Sequence, residues 1–189
     1  MPRAPCVDMH RVVGPQDNDD VLRGGIAQLL PELRAAARLL TASRSEADDL
    51  VQEAVLRMLR GLEGFVVDPE HAGDVVAALR PWGVAVLRNA FREQWRRRRR
   101  EHAHLEAHPP REEGRSGGQE SASTMRDLAR ALATLPPALR EAVVLVGAQG
   151  MSHEDAARIC DVPVGTMKAR VSRARKQLAL ILGASLPLP

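Results

Sequence analysis

Near the C-terminus Lys168, Arg170, Arg173, Arg175 and Lys176 crowd together, with Gly165, Thr166, Ala169 and Ser172 between and before them, and no Asp or Glu follows Asp161. Small residues let a helix enter a groove, hydroxyl and guanidinium groups meet base edges, and flanking cations meet phosphates. A solvated helix face ordinarily mixes both signs of charge, so a face of one sign points to nucleic acid. A second basic cluster, Arg96, Arg97, Arg98, Arg99 and Arg100, follows Trp95. Runs of this kind also occur as localisation signals or solvated helix ends, but the local field suits phosphate, and an aromatic ring beside it can stack on an unpaired base. Trp82 reads as core and Trp95 as the more open of the two.

A third set lies on the polar side of an amphipathic segment. There Asp49, Gln52 and Glu53 surround Leu56, which falls outside the apolar stripe of Ala47, Leu50, Val51, Ala54, Val55 and Met58. A leucine with an acidic rim suits docking onto another protein, although isolated exposed leucines are common. No enzymatic constellation competes: no Ser, Tyr or carboxylate cluster is placed for strand cleavage, so no catalytic residue and no cofactor is expected. Cys6 and Cys160 have no zinc-like spacing, and His102, His104 and His108 lack companion ligands, so no metal site is expected either.

The elements that must position these groups are helices. The chain has 189 residues, 44% of them hydrophobic but only 2% aromatic, and carries a net charge of +3. A composition led by Ala, Leu, Val and Arg favours helices over sheets. Residues 1–25, rich in Pro, Gly and Asp, are expected to form a mobile tail. From Ile26 the positions Leu29, Leu30, Leu33, Ala36, Ala37 and Leu40 make one helical stripe. Ser45 with Asp48 reads as the cap of a second helix that ends near Arg60. A loop follows over residues 61–73, and helical character returns near Asp74, with Pro81 restarting or kinking the helix. Between Trp82 and Trp95 apolar residues point nearly all round, which makes that helix central to its domain.

Residues 102–124, with Pro109, Pro110, Gly114, Gly117 and Gly118, are expected to be a flexible linker. Such a coil spans roughly 25 Å on average and about 75 Å when stretched, so the domains it joins can reach separate parts of a large target. After it, Leu128, Leu132 and Leu135 keep helical spacing up to Pro136 and Pro137, and a further helix closes at Gly150. Ser152 with Asp155 caps a short helix, and Cys160, Asp161 and Val162 turn into a last helix opened by Pro163, whose buried stripe is Val164, Met167, Val171, Ala174 and Leu178. Helix, tight turn, helix is the helix-turn-helix pattern. The expected fold is all-α: two small helical domains, residues 26–101 and 125–182, joined by a flexible linker and followed by a tail over residues 183–189. No apolar run is long enough for a membrane span and no signal-peptide core is present, so a cytoplasmic location is expected.

These residues carry a resemblance. The run Ser45-Glu46-Ala47-Asp48-Asp49-Leu50-Val51-Gln52-Glu53, the segment from Trp82 to Asn89 with its arginines, Leu135-Pro136-Pro137, and Gly165-Thr166-Met167-Lys168-Ala169-Arg170-Val171-Ser172-Arg173-Ala174-Arg175 together resemble the extracytoplasmic-function (ECF) sigma factors. The segments Val144 to Gly150 and Ala156 to Cys160 are further similar to the general-stress-response branch of that family. The resemblance implies a sigma region 2 domain over residues 26–101. Its Asp48, Asp49, Gln52, Glu53 and Leu56 would dock on the beta-prime coiled coil of core RNA polymerase. Asn89, Arg92, Trp95 and Arg96 to Arg100, with the loop before them, would engage the melted minus-ten element. It also implies a sigma region 4 domain that reads the double-stranded minus-thirty-five element of promoter DNA through Gly165, Thr166, Lys168, Ala169, Arg170, Ser172, Arg173, Arg175 and Lys176, and leans on the beta flap. Control by an anti-sigma factor in a stress response goes with the family. Two departures stand out: Gly83 follows Trp82 where the family has a large apolar residue, and the loop from residue 64 to 78 is long. A helix-turn-helix regulator acting without polymerase would leave the Leu56 face unexplained, and a sigma-like decoy would not need an intact basic recognition helix.

Overall fold

A computed structural model describes residues 15–67, 73–105 and 120–183. Among the described residues seven α-helices follow one another: α1 (Pro15–Leu40), α2 (Arg44–Gly61), α3 (Val75–Leu105), α4 (Glu120–Thr134), α5 (Pro137–Val143), α6 (His153–Cys160) and α7 (Val164–Leu182). A 3-10 turn, Leu62–Gly64, follows α2, and a π-helical turn, Val144–Ala148, continues α5. The described residues contain no strand.

Helices α1, α2 and α3 pack into one unit. The α1 stripe of Leu29, Leu33, Ala36, Ala37 and Leu40 is buried, as is the α2 stripe of Ala47, Leu50, Val51, Ala54 and Met58. From α3 come Leu79, Val84, Leu87, Ala90 and Phe91. Leu30 and Val55 are only partly buried against this core. Gly83 has a direct steric cause: a Cβ there would stand 2.9 Å from the Met58 methyl carbon, so the glycine lets α2 and α3 close on the long Met58 side chain. Trp82 is half-buried, its ring 4.9 Å from that of Phe65, so it serves the core as expected.

Several boundaries differ from the sequence reading. The helix expected from Ile26 begins at Pro15, and Leu22 is buried within it, so residues 15–25 are helix rather than tail; residues 1–14 lie outside the described residues. Gly25 belongs to this helix because a Cβ would meet the Leu79 and Val75 side chains at 2.7 and 2.8 Å. The cap of α2 is Ser43, not Ser45. Ser43 Oγ accepts from the Glu46 N–H at 3.2 Å, while the Glu46 carboxylate accepts from the Ala42 N–H at 3.2 Å, so one serine and one acid satisfy two free donors. Helix α3 starts after Asp74, whose carboxylate accepts from the Ala77 N–H at 2.9 Å, and passes through Pro81 without ending. It continues to Leu105, and α4 already begins at Glu120, so both ends of the segment expected as linker are helical; residues 106–119 lie outside the described residues.

The second unit is built from α4 to α7. Leu132, Leu135, Leu139, Ala142, Val144, Leu145, Ala156, Ala157 and Cys160 are buried with Met167, Val171, Ala174 and Leu178 of α7. Ser152 caps α6 as expected, its Oγ accepting from the Asp155 N–H at 3.0 Å. Asp161 ends α6 in the left-handed region at φ 52°, which makes the sharp turn into α7.

The two units touch. α1 packs against α4, and α3 against α5 and α6. Arg140 of α5 crosses the junction: one guanidinium nitrogen donates to the Leu40 carbonyl at 2.7 Å, and the other to the Ala133 and Leu135 carbonyls. A cation thus meets a free carbonyl at the C-terminal end of α1.

Candidate functional site

Helix α7 divides cleanly into two sides. Met167, Val171, Ala174 and Leu178 are buried, whereas Gly165, Lys168, Ala169, Ser172, Arg173 and Lys176 are exposed and Thr166, Arg170 and Arg175 half-buried. Val164, expected in the stripe, is partly buried at its start. None of the α7 cations forms an ion pair with a described residue. Arg173 Nε turns back to the Ala169 carbonyl at 3.3 Å, but its side chain is exposed. Uncompensated positive charge on an exposed helix side, held out by the α6 turn, is a surface that attracts phosphate. Beneath it, burial pushes the Cys160 thiol above its usual pKa, so this thiol is a packing group rather than a reactive one.

The cations of α3 behave differently, because most have partners. Asn89 is exposed and accepts from Arg88 at 3.0 Å. Arg92 reaches Glu141 at 3.2 Å, Arg98 reaches Glu46 at 2.9 Å, and Arg97 reaches Glu101 at 3.4 Å. Arg99 lies over the Trp95 ring, 5.3 Å from its centre, and Arg100 Nε donates to the Arg96 carbonyl at 3.4 Å. Trp95 is half-buried and lines a cavity of about 170 Å³ between the two units with Leu40, Phe91, Ala133 and Arg140. The residues expected to meet a melted strand are therefore divided. Asn89, Arg96, Arg97, Arg99 and Arg100 lie on exposed surface, while Arg92, Trp95 and Arg98 face other parts of the chain.

On α2, Asp48, Asp49 and Gln52 are exposed, Glu53 is half-buried, and Leu56 is 48% exposed. Glu53 holds Arg57 at 2.6 Å, and Arg57 also reaches Glu93 of α3 at 2.7 Å. Glu93 and Glu53 hold the Arg57 guanidinium firmly protonated, and Arg57 in turn keeps the Glu93 carboxyl below its ordinary pKa. Leu59, 38% exposed, adds a second apolar group one turn from Leu56. The sequence reading missed it, although the spacing i, i+3 from Leu56 was visible. Three further apolar residues, Leu180, Ile181 and Leu182, are exposed at the end of α7.

Comparison with known proteins agrees with this division of the chain. The family model for sigma-70 region 2 matches residues 26–101, and that for sigma-70 region 4 matches residues 125–178. The ECF RNA polymerase sigma factor EcfG of Rhodopseudomonas palustris is 40% identical over 163 residues, covering 86% of this chain and 86% of the relative. The ECF RNA polymerase sigma factor SigM of Mycobacterium tuberculosis is 36% identical over 156 residues, covering 80% of this chain and 72% of the relative. Among solved structures, the sigma factor RpoE from Bartonella quintana, crystallised with the anti-sigma factor NepR, superposes with a TM-score of 0.73 at 33% identity, covering 88% of this chain and 99% of that one. A helix-turn-helix unit and a second helical unit with these matches define a transcription initiation protein of the sigma-70 type. The chain belongs to the ECF RNA polymerase sigma factors.

Proposed function

We propose that the chain acts in the cytoplasm as the promoter-reading subunit of RNA polymerase in a stress response, with the chemistry left to core polymerase. Asp48, Asp49, Gln52, Glu53 and Leu56 dock on the beta-prime coiled coil. Asn89, Arg92, Trp95 and Arg96 to Arg100 serve the melted minus-ten strand. Gly165, Thr166, Lys168, Ala169, Arg170, Ser172, Arg173, Arg175 and Lys176 read the minus-thirty-five duplex while region 4 leans on the beta flap. Residues 26–101 and 125–182 are the two working domains. The observation that carries this reading is the exposed basic side of α7, with no ion pair among the described residues, behind a capped helix-turn-helix, in a chain that also presents an acid-rimmed leucine face on α2. An anti-sigma protein is the expected regulator, because the similar RpoE structure holds one.

The test is transcription in vitro from fragments of the source genome with purified core polymerase. Initiation at defined start sites that requires this chain is the expected result. DNA binding by the chain alone, with no specific initiation when core is added, would overturn the proposal in favour of a free helix-turn-helix regulator.

A further inference from the structure

Arg57 of α2 is held at both ends. Its Nε donates to Glu53 of the same helix at 2.6 Å, and a terminal nitrogen donates to Glu93 of α3 at 2.7 Å. Glu53 stands one helical turn before Arg57, on the edge of the Leu56 face nearest α3. The side chains of Glu53 and Glu93 are 40% and 55% exposed, so both present charge to solvent. The acids keep Arg57 protonated, and Arg57 keeps the Glu93 carboxyl below its ordinary pKa, so this cation and its α3 partner are both charged at neutral pH. One guanidinium shared by two carboxylates leaves the group of three with one negative charge. Were Glu93 neutral, the same guanidinium would be left to Glu53 alone, and the pair would carry no net charge. The acid supplied by α3 therefore sets how much of the Glu53 charge an incoming cationic surface feels.

We infer that Glu93, on a helix otherwise given to nucleic acid, is a positioning residue for polymerase docking: by sharing Arg57 it keeps the edge of the Leu56 face acidic towards a cationic surface of core polymerase. This rests on the proposed docking role of the α2 face. A charge at the rim of an interface acts mainly on the association rate and on its dependence on salt. Loss of Glu93 and loss of Arg57 break the same ion pair but change the local charge in opposite senses. A pair that only braced α2 against α3 would give both losses the same sign.

Stopped-flow anisotropy of the labelled full-length chain mixed with core polymerase, at low and at high salt, tests this. Glu93→Gln should slow association at least ~3-fold at about 0.05 M salt, and Arg57→Met should speed it by a similar factor. Both differences should largely vanish at about 0.5 M, where the Debye length is only about 4 Å. The neighbouring cations Arg60 and Arg96 are the same in every variant. Glu53→Gln, which neutralises the edge itself, should slow association at least as much as Glu93→Gln. If Arg57→Met loses helical circular dichroism, the salt series of Glu93→Gln decides, and a slowing that persists at high salt overturns the inference. Glu93→Gln and Arg57→Met variants that shift the rate in the same direction also overturn it, as does a wild-type rate for Glu93→Gln beside a slowed Glu53→Gln. Association unchanged in all three variants overturns the docking role of Glu53, and the inference with it.

Discussion

Replacing Leu56 by Asp separates a docking surface from a core position. Leu56 is 48% exposed and stands on α2 opposite the centre of the buried stripe, to which the completely buried Leu50 belongs. Full burial of a leucine is worth roughly 2 kcal/mol, so the half that Leu56 hides contributes about 1 kcal/mol, and Leu56→Asp should lower stability by about that much. Leu50→Ala, by contrast, removes a fully enclosed side chain and should cost about 2–5 kcal/mol. If the Leu56 face meets core polymerase, a carboxylate at the centre of the contact should weaken binding by at least ~2 kcal/mol, roughly thirtyfold in Kd. Urea denaturation followed by circular dichroism gives the first quantity, and anisotropy of the labelled chain titrated with core polymerase gives the second. Unchanged polymerase affinity in a folded Leu56→Asp protein would refute the docking face, and a loss of stability on the Leu50→Ala scale would refute the helical phase.

Arg173→Ala should cost about 1–3 kcal/mol on an upstream promoter duplex and relax preference at one base pair, whereas Lys168→Ala should weaken all duplexes alike and reduce the salt slope by about one; gel shifts over a salt series distinguish these outcomes. Ser152→Ala removes the oxygen that accepts the Asp155 N–H at 3.0 Å, so α6 should lose about 1 kcal/mol, read as a lower urea midpoint with core-polymerase affinity unchanged.

The apolar stripes of α2 and α7 were legible in the sequence because a regular 3.6-residue period needs no partner to be seen. What escaped depends on partners distant in sequence. Gly24 and Gly25 look like helix breakers until Leu79 and Val75 of α3 are seen to press on Gly25, and Leu22 looks like tail until it is buried. Ser43 and Ser45 are each followed three residues later by an acid, and only the bond from Ala42 N–H to the Glu46 carboxylate distinguishes them. The Pro- and Gly-rich composition after residue 101 reads as linker, yet no proline intervenes between Pro81 and Pro109 and the helix carries the arginine run on to Leu105. In the candidate site, the exposed groups of α7 and Leu56 followed from periodicity, but the engagement of Arg92 by Glu141, 49 residues away, is a tertiary fact that no local pattern encodes. An acid and an arginine, Glu141 and Arg140, set between Leu139 and the apolar run Ala142 to Val146 were the available hint.

The bond from Arg140 to the Leu40 carbonyl spans 100 residues of chain. On a ribosome adding about 5–20 residues each second, Leu40 is made several seconds before Arg140, and the contacts among α1, α2 and α3 have ample time to form before the second unit emerges. Local helical contacts also form faster than those closing long loops. The junction between the units is therefore the last part of the molecule to assemble during synthesis, and for those seconds the C-terminal end of α1 waits without its cation.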